Sequence, residues 1–127
     1  MSGLKDKLQS VEKVEAVDEN DAPHGERGET IFSELHNDEG ITVQRVTIPA
    51  DKREDPHYHD ADTYIYHLQG EIRVSFQGND GQRVEELGPG EGLKIPAYVV
   101  HKPVPSSNRT VETVAIRLGS DVETTYV

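Results

Sequence analysis

The sequence predicts an all-β domain, a sandwich or small barrel of about eight short strands. Three observations carry this. From Glu29 onward, apolar residues alternate with polar ones in short runs, the period-2 pattern of half-buried strands. Those runs are separated by Gly-, Asn- and Pro-rich turns, and no helical periodicity recurs after residue 28. Closure of so many short strands also removes their exposed edges.

The elements follow in order. Leu4, Leu8, Val11 and Val14 recur at spacings that suit one stripe of a short helix opening near Ser2. Residues 17–28 are charged and turn-rich and read as a linker, so 1–28 form an N-terminal arm, helical or extended, and 29–127 a single barrel domain. Thr30 to Leu35 and Ile41 to Ile48 form a hairpin across the polar stretch ending at Gly40. Tyr58 to Leu68 is rich in Tyr and β-branched residues and stops at Gly70. Ile72, Val74 and Phe76 share one face of the next strand. The Gly78–Gly81 turn leads to Arg83–Leu87, the Gly88–Gly92 turn to Leu93–Ile95, and Val99, Val100 and His101 follow Pro96. The last strand places Val114, Ile116 and Leu118 on one face.

Composition removes whole classes of function. The 127 residues carry a net charge of −11, which repels nucleic-acid backbones, and Lys52-Arg53 is the longest basic cluster. Cysteine is absent, so disulfides, thiolate nucleophiles and cysteine-bound metals drop out. No apolar run reaches the ~18 residues of a membrane span, and no basic-then-apolar start marks export, so a cytoplasmic protein without membrane partner is expected.

Any metal must then be held by histidine, carboxylate or water. There are six histidines. In His57-Tyr58-His59 the imidazoles leave the same face of an extended chain, with Cα atoms roughly 6.5–7 Å apart, so both can lean onto one ion. His101 sits among apolar neighbours, as either a hydrogen-bonded core residue or a ligand. His67 shares the parity of Thr63 and Ile65 and points inward, as a general base, a substrate anchor or a structural imidazole. Tyr64 and Tyr66 face outward, where a subunit contact would lie.

His57-x-His59, the strand ending at Gly70, and then Gly90, Pro96 and His101 resemble the paired motifs of the cupin superfamily over residues 40–118. The resemblance implies a double-stranded β-helix, or jelly-roll barrel, with His57, His59 and His101 as metal ligands. The family's glutamate position is held here by Thr63 (Tyr64 in the longer spacing), which leaves Thr63 as a possible fourth position or anchor for a bound water. Asp62 can supply a carboxylate only if the strand starts irregularly, since one residue of register reverses the face. Asp51, Tyr98 and Pro105 stand at further positions where the family has Gly, Gly and Asn. Three imidazoles hold a divalent metal without adding charge and leave positions open for water, substrate or dioxygen. The resemblance thus implies a mononuclear metal-dependent enzyme, a dioxygenase-type oxidoreductase acting on a small organic molecule. The metal expected is iron, ahead of zinc, nickel, manganese or copper. A non-catalytic ligand-binding or sensor cupin, and a metal-dependent isomerase, cyclase or lyase, are the competing readings. Val46, Ile48, Ile65, Phe76 and Tyr98 are the expected pocket residues, and a homodimer the expected assembly.

Overall fold

The computed structural model describes residues 11–127. Two antiparallel sheets face one another. Eleven strands build them among the described residues: β1 (His24–Arg27), β2 (Thr30–Asp38), β3 (Ile41–Ile48), β4 (His57–His59), β5 (Thr63–Gln69), β6 (Ile72–Gly78), β7 (Gly81–Leu87), β8 (Gly92–Ile95), β9 (Val100–Pro105), β10 (Val111–Arg117) and β11 (Thr124–Tyr126). One sheet runs β1-β2-β3-β10-β5-β8 and the other β11-β4-β9-β6-β7. The jelly-roll architecture expected from the motifs is the one observed.

The β2–β3 hairpin shows how local chemistry sets register. Glu39 and Gly40 both have positive φ, 53° and 80°, the twist that a two-residue hairpin turn demands. Asp38 then pairs with Ile41. Gly70 ends β5 for a different reason. Its φ is 76°, and a Cβ there would lie 2.7 Å from the Thr110 carbonyl oxygen, so only glycine fits.

Four features differ from the expectation. The stretch from Tyr58 to Leu68 is not continuous: β4 belongs to one sheet and β5 to the other. The acids between them make the corner. Asp60 Oδ1 accepts from the Glu123 N–H at 2.9 Å, and Asp62 Oδ1 from the Ala97 N–H at 2.8 Å, so backbone donors outside the ladder stay satisfied. Second, β1 lies within the residues read as linker, pairing from His24↔Ser33 to Arg27↔Thr30 as an edge strand. Its charged sequence, His-Gly-Glu-Arg, hides the strand from any hydrophobic pattern. Third, the parity of β10 is the reverse of the expected one. Val111, Thr113, Ala115 and Arg117 are buried, whereas Ile116 and Leu118 are exposed. Both faces of β10 carry apolar residues, so alternation alone could not choose between them. Fourth, Leu4 and Leu8 of the proposed N-terminal stripe lie outside the described residues, Val11–Lys13 is a single 3₁₀ turn, and Val11 and Val14 are 83% and 78% exposed.

The core lies between the sheets at one end. Ile48 and Val111 reach in from one side, and Ile72, Val74 and Leu87 from the other. Along the inward rows of the six-stranded sheet, polarity rises with distance from this cluster. Ile48 pairs with Val111, Val46 with Thr113, Gln44 with Ala115, and Thr42 with Arg117. The far end of the barrel is therefore lined by polar residues, and this is where the histidines converge.

Candidate metal centre

β4 and β9 meet at one register pair, His57↔His101. β11 adds outside β4, with Thr124 opposite His59 and Tyr126 opposite His57. Alternation along β4 sends His57 and His59 to the same inner face, and both are buried, as is His101. Ring centroids are 4.4 Å apart for His57 and His101, 5.1 Å for His57 and His59, and 5.3 Å for His59 and His101. Ligating nitrogens of all three lie within 4.8 Å of one another.

Which nitrogen faces the common point follows from the other. His57 Nδ1 lies 2.7 Å from the Asp55 carbonyl, and His101 Nδ1 2.9 Å from the Val99 carbonyl. A carbonyl only accepts, so each Nδ1 carries the proton and each Nε2 a lone pair. His59 Nδ1 pairs with the Thr124 hydroxyl at 2.8 Å. Such partners orient metal-binding imidazoles and hold their tautomer. Burial lowers the affinity of all three rings for a second proton. His101 is held down to about 4, by desolvation first and the neighbouring His57 next. His59 is lowered by desolvation and then by Arg117 and Arg27, and His57 by desolvation against the partial opposition of Asp55 and Glu54. Neutral imidazoles gathered on one buried face, with the Nε2 lone pairs of His57 and His101 set by their carbonyl partners, are the donor set a divalent transition metal takes.

The histidines open onto a cavity of about 60 Å³ between the sheets, room for roughly four to six waters. Thr63, Val46, Ile48 and Ile65 line it. Thr63 is buried, its hydroxyl 3.4 Å from the Ala61 carbonyl. Three residues named from sequence lie elsewhere. Phe76 is outside the cavity lining, and its ring lies beside His101, centroids 6.3 Å apart. Tyr98 is two-thirds exposed, with φ of 66°, and its ring packs toward Tyr58 rather than into the barrel. His67 is fully buried nearer the apolar end, opposite Thr113, and its Nε2 donates to the Gly70 carbonyl at 2.7 Å. That bond ties the ring to the turn ending β5. Asp62 is committed to Ala97 and supplies no carboxylate to the histidines.

Three charged residues around the site carry roles that the sequence pattern does not show. Arg117 ends the inward row of β10 and is only 4% exposed. Its Nη1 donates to Gln44 Oε1, and desolvation pulls its pKa down to about 9, with Arg27 contributing. Arg27, from edge strand β1, also lines the cavity. Glu54 is buried and accepts from the Glu29 N–H at 2.9 Å, Thr30 Oγ1 at 2.8 Å and the Tyr126 hydroxyl. The reversed parity of β10 concealed Arg117, and the loop setting of Glu54 concealed the carboxylate. Gly28 was a usable signal: its φ is 59°, and a Cβ there would come within 2.5 Å of Glu54.

Solved structures share this architecture. A variant of the oxalate decarboxylase of Bacillus subtilis superposes with a TM-score of 0.77 at 13% identity, covering 91% of this chain and 33% of that one. Hazelnut (Corylus avellana) vicilin gives 0.75 at 13%, covering 84% and 35%. An oxalate oxidase gives 0.70 at 18%, covering 79% and 56%. The chain thus spans about a third to a half of these neighbours, and at such identities the likeness is one of fold. No curated protein matches the sequence. The family model for the cupin domain matches residues 44–117, more than half of the chain and inclusive of all three histidines. With the jelly roll, the two histidine-bearing strands and that match together, the chain belongs to the cupin domain family.

Proposed function

We propose that the protein is a mononuclear metal-dependent enzyme, an oxidoreductase of the dioxygenase type acting on a small organic molecule, with His57, His59 and His101 as the metal ligands and iron as the metal. The observation that carries this is the engagement of every Nδ1 by a partner, which leaves three Nε2 atoms on one buried face beside a cavity. Bound there, a divalent metal would supply Lewis acidity and open positions for substrate or dioxygen. The chain's own residues do the rest. Asp55, Thr124 and Val99 hold the rings in place, burial keeps them neutral, and Val46, Ile48 and Ile65 wall the cavity against water. Thr63, at the glutamate position of the motif, offers a hydroxyl and no charge, so an anionic substrate meets less repulsion there.

Metal analysis of anaerobically purified protein, paired with a His57→Ala/His101→Ala double variant, tests the reading. Iron in the wild type, absent from the variant, with oxygen uptake on a turned-over substrate, is the expected result. Zinc or nickel instead shifts the reading to an isomerase, cyclase or lyase, and a metal-free wild type to a non-catalytic binder.

We further infer a cytoplasmic homodimer formed through the outer face of β5 and β10. Tyr64 and Tyr66 are exposed there, opposite Ile116 and Val114 in the register. Sedimentation at the mass of a single 14.1 kDa chain would refute the dimer. Among the described residues no helix is long and apolar enough to cross a membrane.

A further inference from the structure

Two guanidinium groups enter the cavity, and neither has a carboxylate within 4.0 Å among the described residues. Buried charges are ordinarily paired, because an unpaired one forfeits hydration without replacement. Glu34 acts on Arg117 and Glu54 on Arg27 only from beyond ion-pair distance, Arg27 bonds the Tyr126 hydroxyl, and Glu54 is already engaged by three donors. Arg117 is nearly inaccessible, and its environment disfavours the cation strongly enough to be felt in its acidity.

The hydrogen bonds of Arg117 show what is left over. Gln44 takes Nη1, the nitrogen on the side away from the Nε–H bond. The opposite edge, Nε with Nη2, is the side-on fork that matches a planar carboxylate. Its Nε is buried and without a partner. Arg27 Nε is likewise buried and unpartnered, and its guanidinium lies over Phe32, 5.5 Å from the ring centroid. Arg27 precedes the segment matched by the family model, so this second cation comes from the chain's own N-terminal edge strand.

We propose that the cavity receives a small carboxylate, its head engaged side-on by Arg117 and steadied by Arg27 next to the three histidines. The apolar walls set by Ile48, Ile65 and Val74 leave its remainder compact and uncharged. The volume of about 60 Å³ admits only a few heavy atoms. This deepens the metal reading and partly rests on it, since three neutral ligands leave the charge of a divalent ion uncompensated and add to the demand for an anion.

The test uses the 127-residue chain, loaded with Co²⁺ and titrated calorimetrically with propanoate and with propanamide, its neutral counterpart of like shape. One Co²⁺ per chain is expected, with propanoate bound at least tenfold more tightly than propanamide. Arg117→Gln and Arg27→Gln should each reduce that preference at least fivefold while leaving the Co²⁺ stoichiometry unchanged. The second variant stands in a surface strand and keeps the test valid if loss of Arg117 prevents folding. Equal binding of the two ligands, or a preference that survives both substitutions, overturns the carboxylate inference and leaves the metal reading standing. Failure to bind Co²⁺ removes the metal reading instead. The metal-free chain titrated with the same pair then decides: a preference abolished by Arg117→Gln or Arg27→Gln upholds the anion site, and its absence refutes it.

Discussion

The two ends of this barrel use the same strands for opposite purposes. At one end Ile48, Ile72, Val74, Leu87 and Val111 form an apolar cluster that supplies stability, and Ile48, Ile72 and Val74 also wall the cavity where the two ends meet. At the other, the same inward rows end in Thr42, Gln44, Arg117 and Thr63, facing His57, His59 and His101. A row such as Val111-Thr113-Ala115-Arg117 crosses from one regime to the other within a single strand. Hydrophobic burial is roughly proportional to area and indifferent to direction, so the apolar end tolerates exchange of one aliphatic for another. The polar end works through directed hydrogen bonds and partial charges, and each residue there depends on its neighbours. Stability and chemistry are thus graded along the barrel axis, separated at its extremes and joined where Ile48, Ile72 and Val74 wall the cavity.

That separation can be broken from either side. Leu87→Ala, in the apolar cluster but outside the cavity lining, should have the largest effect, a loss of about 2–5 kcal/mol for a buried large-to-small change, read by denaturant unfolding. Metal stoichiometry in the variant that remains folded should be unaltered. Coupled loss of both would show that the two ends are not independent.

The next effect is a response to pH. In the metal-free chain His101 is held at about 4, against an ordinary value of 6.5. Between these values the unfolded chain binds the proton and the folded chain does not. The contribution is therefore complete above about pH 6.5 and is lost as the pH falls toward 4, with a slope of up to about 1.4 kcal/mol per pH unit for each such histidine. Unfolding midpoints across that window, compared with those of His101→Gln, measure it. A flat profile would mean that the rings accept protons without strain.

The smallest change in stability should come from Thr124→Val. It removes the hydroxyl beside His59 Nδ1 and keeps the branched shape. Loss of such an orienting partner typically weakens metal binding about 10–100-fold, with unfolding shifted by about 1 kcal/mol or less. Metal titration and unfolding on the same sample separate the two effects. An unchanged metal affinity would assign Thr124 to strand pairing alone.

How much of this could be read in advance depends on the range of the interaction. The His57-x-His59 pair needed only the two-residue period of a strand, and Gly70 only the turn that ends β5. The parity of β10 failed because Val114, Ile116 and Leu118 offer as good an apolar face as Val111 and Ala115. Arg117 was hidden behind that reversal. Arg27 and Glu54 were hidden because a charged residue in a hydrophilic stretch looks the same whether it is solvated or folded inward.

By itself the sequence determined the all-β class, most of its strands and the His57-x-His59 pair, since period, turn chemistry and spacing are local and repeat along the chain. His101 joined that pair only through the family resemblance. Only the tertiary structure decided which nitrogen each ring presents, which face of β10 is buried, and that two arginines enter the same cavity as the histidines. Those outcomes depend on which strands become neighbours, and neighbours distant in sequence leave no mark on the pattern of either strand alone.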